Sequence, residues 1–113
     1  MSGKFVLNSS NDSQFYFVLK AGNGEVILTS AMYTTKASAE NGILSVQANS
    51  PQDEKYERNV AKDGSPYFNL KAENHQVIGT SQMYSSEASR DNGIASVKNN
   101  GQTPTVEDNT IAL

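Results

Sequence analysis

Few residues in this chain have the types that catalysis or metal binding require. There is one histidine, His75, and no cysteine, which removes disulfides, thiolate metal sites and cysteine nucleophiles. General acid–base work by a histidine needs a positioned partner. His75 follows Glu73-Asn74 in a turn-like run, and Gly24 stands at its matched place in the first half of the chain, so it reads as a solvated turn residue. Serines are many, but no G-x-S-x-G elbow or Ser-x-x-Lys pair occurs, and no Ser/His/Asp set forms without His75. Asp53-Glu54 and Glu107-Asp108 read as solvated connector and tail residues, and Asp12 and Asp63 as turn carboxylates that cap their own backbone. Gly22-Asn23-Gly24 lacks the Lys-Ser/Thr of a phosphate loop. The expectation is no catalytic residue, no metal and no cofactor.

Binding chemistry has more to work with. Tyr16 and Lys20 recur as Tyr67 and Lys71, on the strand face opposite Phe17, Leu19, Phe68 and Leu70. Tyrosine and lysine on an open sheet can stack bases and contact phosphate, or they can simply shield the sheet. The net charge of −3 argues against nucleic acid. Tyr33 and Tyr84, each within a Met-Tyr-Thr/Ser run, are expected at the strand-to-helix corner, with a hydroxyl reaching backbone. These six tyrosines and lysines are the candidate binding residues. Ser38, Asn41, Ser45 and Asn49 also recur and fall on one helical flank, available to the other helix or to a partner.

The elements that must position these groups come from a duplication. Laid over each other at an offset of 51, residues 4–51 and 55–102 are identical at 23 of 48 positions. Within each copy, Phe5 and Leu7 alternate with polar neighbours, and Asn11-Asp12-Ser13 or Lys62-Asp63-Gly64 supplies a turn that tolerates positive φ. Residues 14–21 show the period of two of a half-buried strand, and Val26-Ile27-Leu28 follows a second turn as a third strand. Thr34 or Thr35, and Ser85 or Ser86, are N-cap candidates for helices running to Asn49 and Asn100. Ala39, Gly42, Ile43 and Val46 share one face of the first helix. An interior Gly costs about 1 kcal/mol relative to Ala, so either the helix ends at Asn41-Gly42 or Gly42 and Gly93 lie too close to the sheet for a side chain. Close packing is favoured, because a seven-residue helix buries too little.

The predicted fold class is α+β: a tandem repeat of β-β-β-α units, with a short extra C-terminal strand, sharing one antiparallel sheet of about six strands with two helices on one face. One unit of about 50 residues buries too little surface to stand alone, so residues 1–113 are expected to form a single domain. Residues 103–106 are expected to add an edge strand, and residues 107–113 to fray.

The runs Phe17-Val18-Leu19-Lys20-Ala21-Gly22-Asn23-Gly24-Glu25, Thr29-Ser30-Ala31-Met32-Tyr33 and Ala37-Ser38-Ala39-Glu40-Asn41-Gly42-Ile43, with their second copies, resemble the YegP family (UPF0339, DUF1508) in its duplicated form. The resemblance covers about residues 4–110 and implies a YegP-like fold, in which C-terminal strands are exchanged between two units of one sheet. It implies no activity, because that family of small bacterial proteins has no assigned function. The function expected is thus a small non-catalytic binding module. Single-stranded nucleic-acid binding on the open sheet face is the alternative, and an enzyme with an inter-repeat site a weaker one. No stretch approaches the roughly 18 apolar residues of a membrane span, so a cytoplasmic protein without membrane partners is expected, a pseudo-twofold monomer or else a homodimer.

Overall fold

Turn chemistry closes four hairpins, two in each repeat. Ser13 (φ 68°) and Gly64 (φ 88°) hold positive φ between the first and second strands, and Gly24 (φ 88°) and His75 (φ 69°) between the second and third. His75 is therefore the turn residue the sequence suggests, taking a conformation that glycine fills in the first copy. Asp63 caps its own turn, accepting from Ser65 N–H at 3.0 Å, while Asp12 accepts from the Ser10 hydroxyl. The computed structural model describes residues 3–10 and 12–110; Asn11 of the first turn and the end of the tail expected to fray, residues 111–113, lie outside them.

The chain runs β1 (Lys4–Ser9), β2 (Phe15–Lys20), β3 (Val26–Ser30), α1 (Lys36–Asn49), a 3-10 turn (Asp53–Lys55), β4 (Tyr56–Val60), β5 (Pro66–Lys71), β6 (Val77–Thr80), α2 (Glu87–Asn100) and β7 (Val106–Asp108). All seven strands share one sheet in the order β4-β5-β6-β3-β2-β1-β7. The first six are symmetric about the β3–β6 seam, where the repeats join through Thr29↔Thr80 and Ser30↔Gly79. Strand pairing is antiparallel except at the β1–β7 edge, which is parallel, so the sheet is mixed rather than purely antiparallel. The last strand also sits later than residues 103–106. Glu107 and Asp108, expected to fray, belong to it, held by ion pairs to Lys4 (2.6 Å) and Lys36 (2.6 Å). The exchange of C-terminal strands is realised on this side, since β7 follows the second repeat and lies on β1 of the first.

Both helices are continuous through their glycines. Thr35 and Ser86 are the N-caps, each accepting from the N–H three residues on. A Cβ on Gly42 would lie 2.6 Å from Tyr33 Oη and 2.8 Å from Phe17 Cε2, and Gly93 faces Tyr84 and Phe68 in the same way. Close approach to the sheet, not a helix end, explains both residues. Between helices and sheet lies one core containing Phe5, Leu7, Phe17, Leu19, Phe68 and Leu70. Tyr33 stacks on Phe17 and Tyr84 on Phe68, each at 6.4 Å between ring centroids.

β-bulges between Leu19 and Lys20, and between Leu70 and Lys71, shift the register of the third strands. Leu28 pairs with Leu19, and Val26 with Lys20. As a result Ile27 and Leu28 both enter the core, while Val26 turns to the other side and is exposed.

Candidate functional site

The six candidate tyrosines and lysines do not form one site. Ladder registers place four of them on the face that the helices leave uncovered. Along that face one row crosses all seven strands: Glu57, Asn69, Thr80, Thr29, Val18, Val6 and Glu107. Tyr16 and Lys20 flank Val18 on β2, and Tyr67 and Lys71 flank Asn69 on β5; all four are half-buried. Val26 lies beside Lys20 and Val77 beside Lys71. Met32 and Met83 follow β3 and β6, each just before an inward-facing tyrosine, and are exposed.

Matched positions of the two repeats carry identical residues here: Tyr16 and Tyr67, Lys20 and Lys71, Val26 and Val77, Thr29 and Thr80, and, just beyond the strands, Met32 and Met83; of these, Thr29 and Thr80 pair directly across the seam. Four of these are exposed and apolar, Val26 (41%), Val77 (43%), Met32 (55%) and Met83 (50%). Sequence patterning missed all four. Val26 opens the apolar run of the third strand, and the bulge turns it to the exposed side. The face is not a positive surface. Lys71 is paired with Glu57 at 3.3 Å on one rim and Lys4 with Glu107 at 2.6 Å on the other, and these lysines hold both glutamates below the usual carboxylate range.

Tyr33 and Tyr84 lie on the opposite side, under the helices. Their hydroxyls do not reach backbone as expected, and neither makes a hydrogen bond among the described residues; each instead lies against the glycine of its own helix. Burial raises the Tyr33 phenol above its ordinary pKa. Each tyrosine borders a groove between the helix of its own repeat and the second hairpin turn of the other. One groove brings Tyr33, Ser38, Asn41 and Ser45 against Ala72 and Asn74. The other brings Tyr84, Ser89, Asn92 and Ser96 against Ala21 and Asn23. Among matched positions lining both grooves, only Glu25 against Gln76 differs.

Most of these recurrences have a structural cause. Ser38 and Ser89 bond the N-cap hydroxyls, Ser45 and Ser96 accept from Asn49 and Asn100 one turn on, and Asn23 and Asn74 close their own turns by accepting from Glu25 and Gln76 N–H. Asn41 and Asn92 have no such partner among the described residues. Among the described residues, no group of three or more His, Asp or Glu side chains converges as for a metal, and no helix is long and apolar enough to cross a membrane.

Comparison with known proteins gives the same architecture. A family model described as a domain of unknown function, DUF1508, matches residues 10–57 and 61–108. The UPF0339 protein YegP of Escherichia coli O157:H7 is 66% identical over 110 residues, covering 97% of this chain and 100% of that protein. A UPF0339 protein of Acinetobacter baylyi is 67% identical over 110 residues, covering 97% and 99%. The solution NMR structure of YegP from E. coli, described as a protein of unknown function, superposes with a TM-score of 0.94 at 62% identity, covering 100% of this chain and 97% of that one. That of a UPF0339 protein from Shewanella oneidensis gives 0.92 at 64% identity, covering 97% and 93%.

Proposed function

The chain belongs to the DUF1508 family, a family of unknown function, and we propose that it is a non-catalytic binding module that docks a protein partner on the open face of its sheet. One observation carries this reading. Val26, Val77, Met32 and Met83 are exposed, apolar and the same in both repeats. Buried residues recur because the core needs them, whereas exposed apolar residues have no such reason to persist in pairs. Methionine side chains adapt to irregular surfaces, and Tyr16 and Tyr67 beside them add rigid contact area with a polar tip. Lys20 and Lys71 give the surrounding surface its charge, with the Lys71–Glu57 pair at one margin.

The test is a double variant, Met32→Gln with Met83→Gln, whose exposed positions leave the core untouched. A protein that binds the native chain is expected to lose at least tenfold in affinity for the variant, with an unchanged circular dichroism spectrum and with amide shifts confined to β2, β3, β5 and β6. A partner that maps to the helices, or that binds the variant equally, overturns the proposal. Labelled single-stranded oligonucleotides are expected to show no salt-sensitive binding at micromolar protein; such binding would put nucleic acid in the partner's place. A substrate turnover abolished by Lys20→Ala or Tyr84→Phe would replace the binding reading with an enzyme.

A further inference from the structure

Asn41 and Asn92 stand mid-helix, exposed, immediately before the glycines that pack on the tyrosines. Neither side chain makes a hydrogen bond among the described residues. Asparagine is a poorer residue than alanine for a helix interior, and each is followed by the still poorer glycine. The glycine has a packing reason. The asparagine has none within the chain, yet it occupies the same place twice.

Both asparagines face a groove that neither repeat makes alone, about 360 Å³ beside Asn41 and about 200 Å³ beside Asn92. The first groove has no charged side chain on its lining, and the second has only Glu25. With no cation present, a phosphate or carboxylate entering either groove would lose hydration without gaining a counter-charge. What the grooves offer is a dense set of neutral donors and acceptors. Among the described residues Asn41 and Asn92 have no partner for either the NH2 or the C=O of the amide, Asn74 Oδ1 accepts from Gln76 N–H at 3.1 Å and its NH2 has no partner, and Tyr33 and Ser45 line the same groove. An amide presents a donor and an acceptor side by side, the arrangement that two vicinal hydroxyls match.

From this geometry we propose that the two inter-repeat grooves are equivalent sites for a neutral sugar, read by Asn41 and Asn92 and independent of the open face. The chain then carries two such sites, related by the same symmetry as the repeats.

The test uses the full chain labelled with 15N and titrated with glucose, N-acetylglucosamine, maltose and cellobiose, with inorganic phosphate and glucose 6-phosphate as charged comparators. At least one of the neutral sugars is expected to move the side-chain NH2 resonances of both Asn41 and Asn92 together, with midpoints in the millimolar range. Read from the Asn74 side-chain NH2 and the Gly42 amide at the first groove, and from the Asn23 side-chain NH2 and the Gly93 amide at the second, Asn41→Ala should abolish the response at the first groove and leave the second, and Asn92→Ala the reverse. Both substitutions improve helix propensity, so each variant should melt no lower than the native chain, and a lost response cannot be put down to unfolding. Larger shifts with the phosphorylated sugar than with glucose would overturn the neutral class while leaving the grooves as sites. No shift of either asparagine with any of the six compounds would overturn the sites themselves. Neither result touches the docking face, whose probes are Met32 and Met83.

Discussion

Leu28 packs over Gly79, the residue that holds its own matched place in the second repeat. A Cβ on Gly79 would lie 2.8 Å from Leu28 Cγ and 3.1 Å from the carbonyl oxygen of Thr29. The same holds at the helix ends, where a Cβ on Gly101 would collide with the side chain of its counterpart Ser50. Positions that would meet their own image in a symmetric dimer have here become a large residue against glycine. The repeats are therefore complementary rather than interchangeable.

Restoring the symmetry should be costly. Gly79→Leu places a second leucine on the seam, and overpacking of this kind costs about 1–3 kcal/mol. Leu28→Ala leaves a hole instead and costs about 2–5 kcal/mol. In urea denaturation the swapped double variant, Leu28→Gly with Gly79→Leu, should be more stable than the sum of the two exchanges measured singly. Additivity would show that the two residues are not coupled.

Gly42→Ala and Gly93→Ala should each lower the melting temperature. At an ordinary helix-interior site the change gains about 1 kcal/mol. Here the new methyl meets Tyr33 Oη at 2.6 Å and the Phe17 ring at 2.8 Å, or the equivalent pair in the second repeat, and the stacked aromatics must move. A raised melting temperature would show that the tyrosines yield without cost.

The helix-end pair responds in opposite senses. Ser50 Oγ is buried without a hydrogen-bond partner among the described residues, so Ser50→Ala should be neutral or stabilising by up to about 1 kcal/mol, since an unsatisfied buried hydroxyl is lost. Gly101→Ala should destabilise through its contacts with Ser50 and with the Val97 carbonyl oxygen, 2.8 Å from the added carbon. Chemical denaturation of the two single variants checks both signs.

Tyr56→Phe should cost about 1–3 kcal/mol. The buried Tyr56 hydroxyl donates to the Ser50 carbonyl at 2.7 Å, and burial pushes the phenol well above its ordinary pKa. The ring itself, edge-on to Phe68 at 5.7 Å, is retained in phenylalanine, so the loss measures the hydrogen bond. An unchanged unfolding midpoint would mean that water serves the Ser50 carbonyl equally well.

Acid should loosen the β7 edge. Hydrogen bonds from Lys36 and Thr110 hold the Asp108 carboxyl down at about 2, below its value in an unfolded chain. Because the folded pKa is the lower, the stabilisation is complete above an unfolded carboxyl's pKa of about 3.9 and disappears as pH falls toward 2. Amide exchange at Val106–Asp108 should accelerate across that window, with a carboxyl 13C midpoint for Asp108 near 2. A midpoint near 4 would remove the Lys36 contact from the account.

The recurring positions carried most of what could be read in advance. Thr34 or Thr35, and Ser85 or Ser86, read as caps because hydroxyls precede a proline-free run twice, and the second of each is the cap; close packing is the favoured reading of Gly42 and Gly93 because each interrupts a helix that must still bury Ile43 or Ile94. Two features had no local signal. The bulges that expose Val26 and Val77 depend on the partner strand's register, so Val26-Ile27-Leu28 reads as a strand without showing which of its residues face the core. The parallel placement of β7 depends on Lys4, 103 residues before Glu107, and on Lys36, 72 residues before Asp108. For the candidate sites, the open-face tyrosines and lysines followed from alternation, but Tyr33 beside Asn74 did not, because that groove exists only once both repeats are in place.

The seam between the repeats is thin. Two ladder pairs join β3 to β6, whereas six join β1 to β2 and five join β4 to β5. Each half can therefore form its hairpins locally and then meet the other as two tethered reactants, with the short connector of residues 50–55 setting a high effective concentration for the encounter. Covalent continuity substitutes here for interface area, and cutting the connector would turn a unimolecular folding reaction into one that depends on protein concentration.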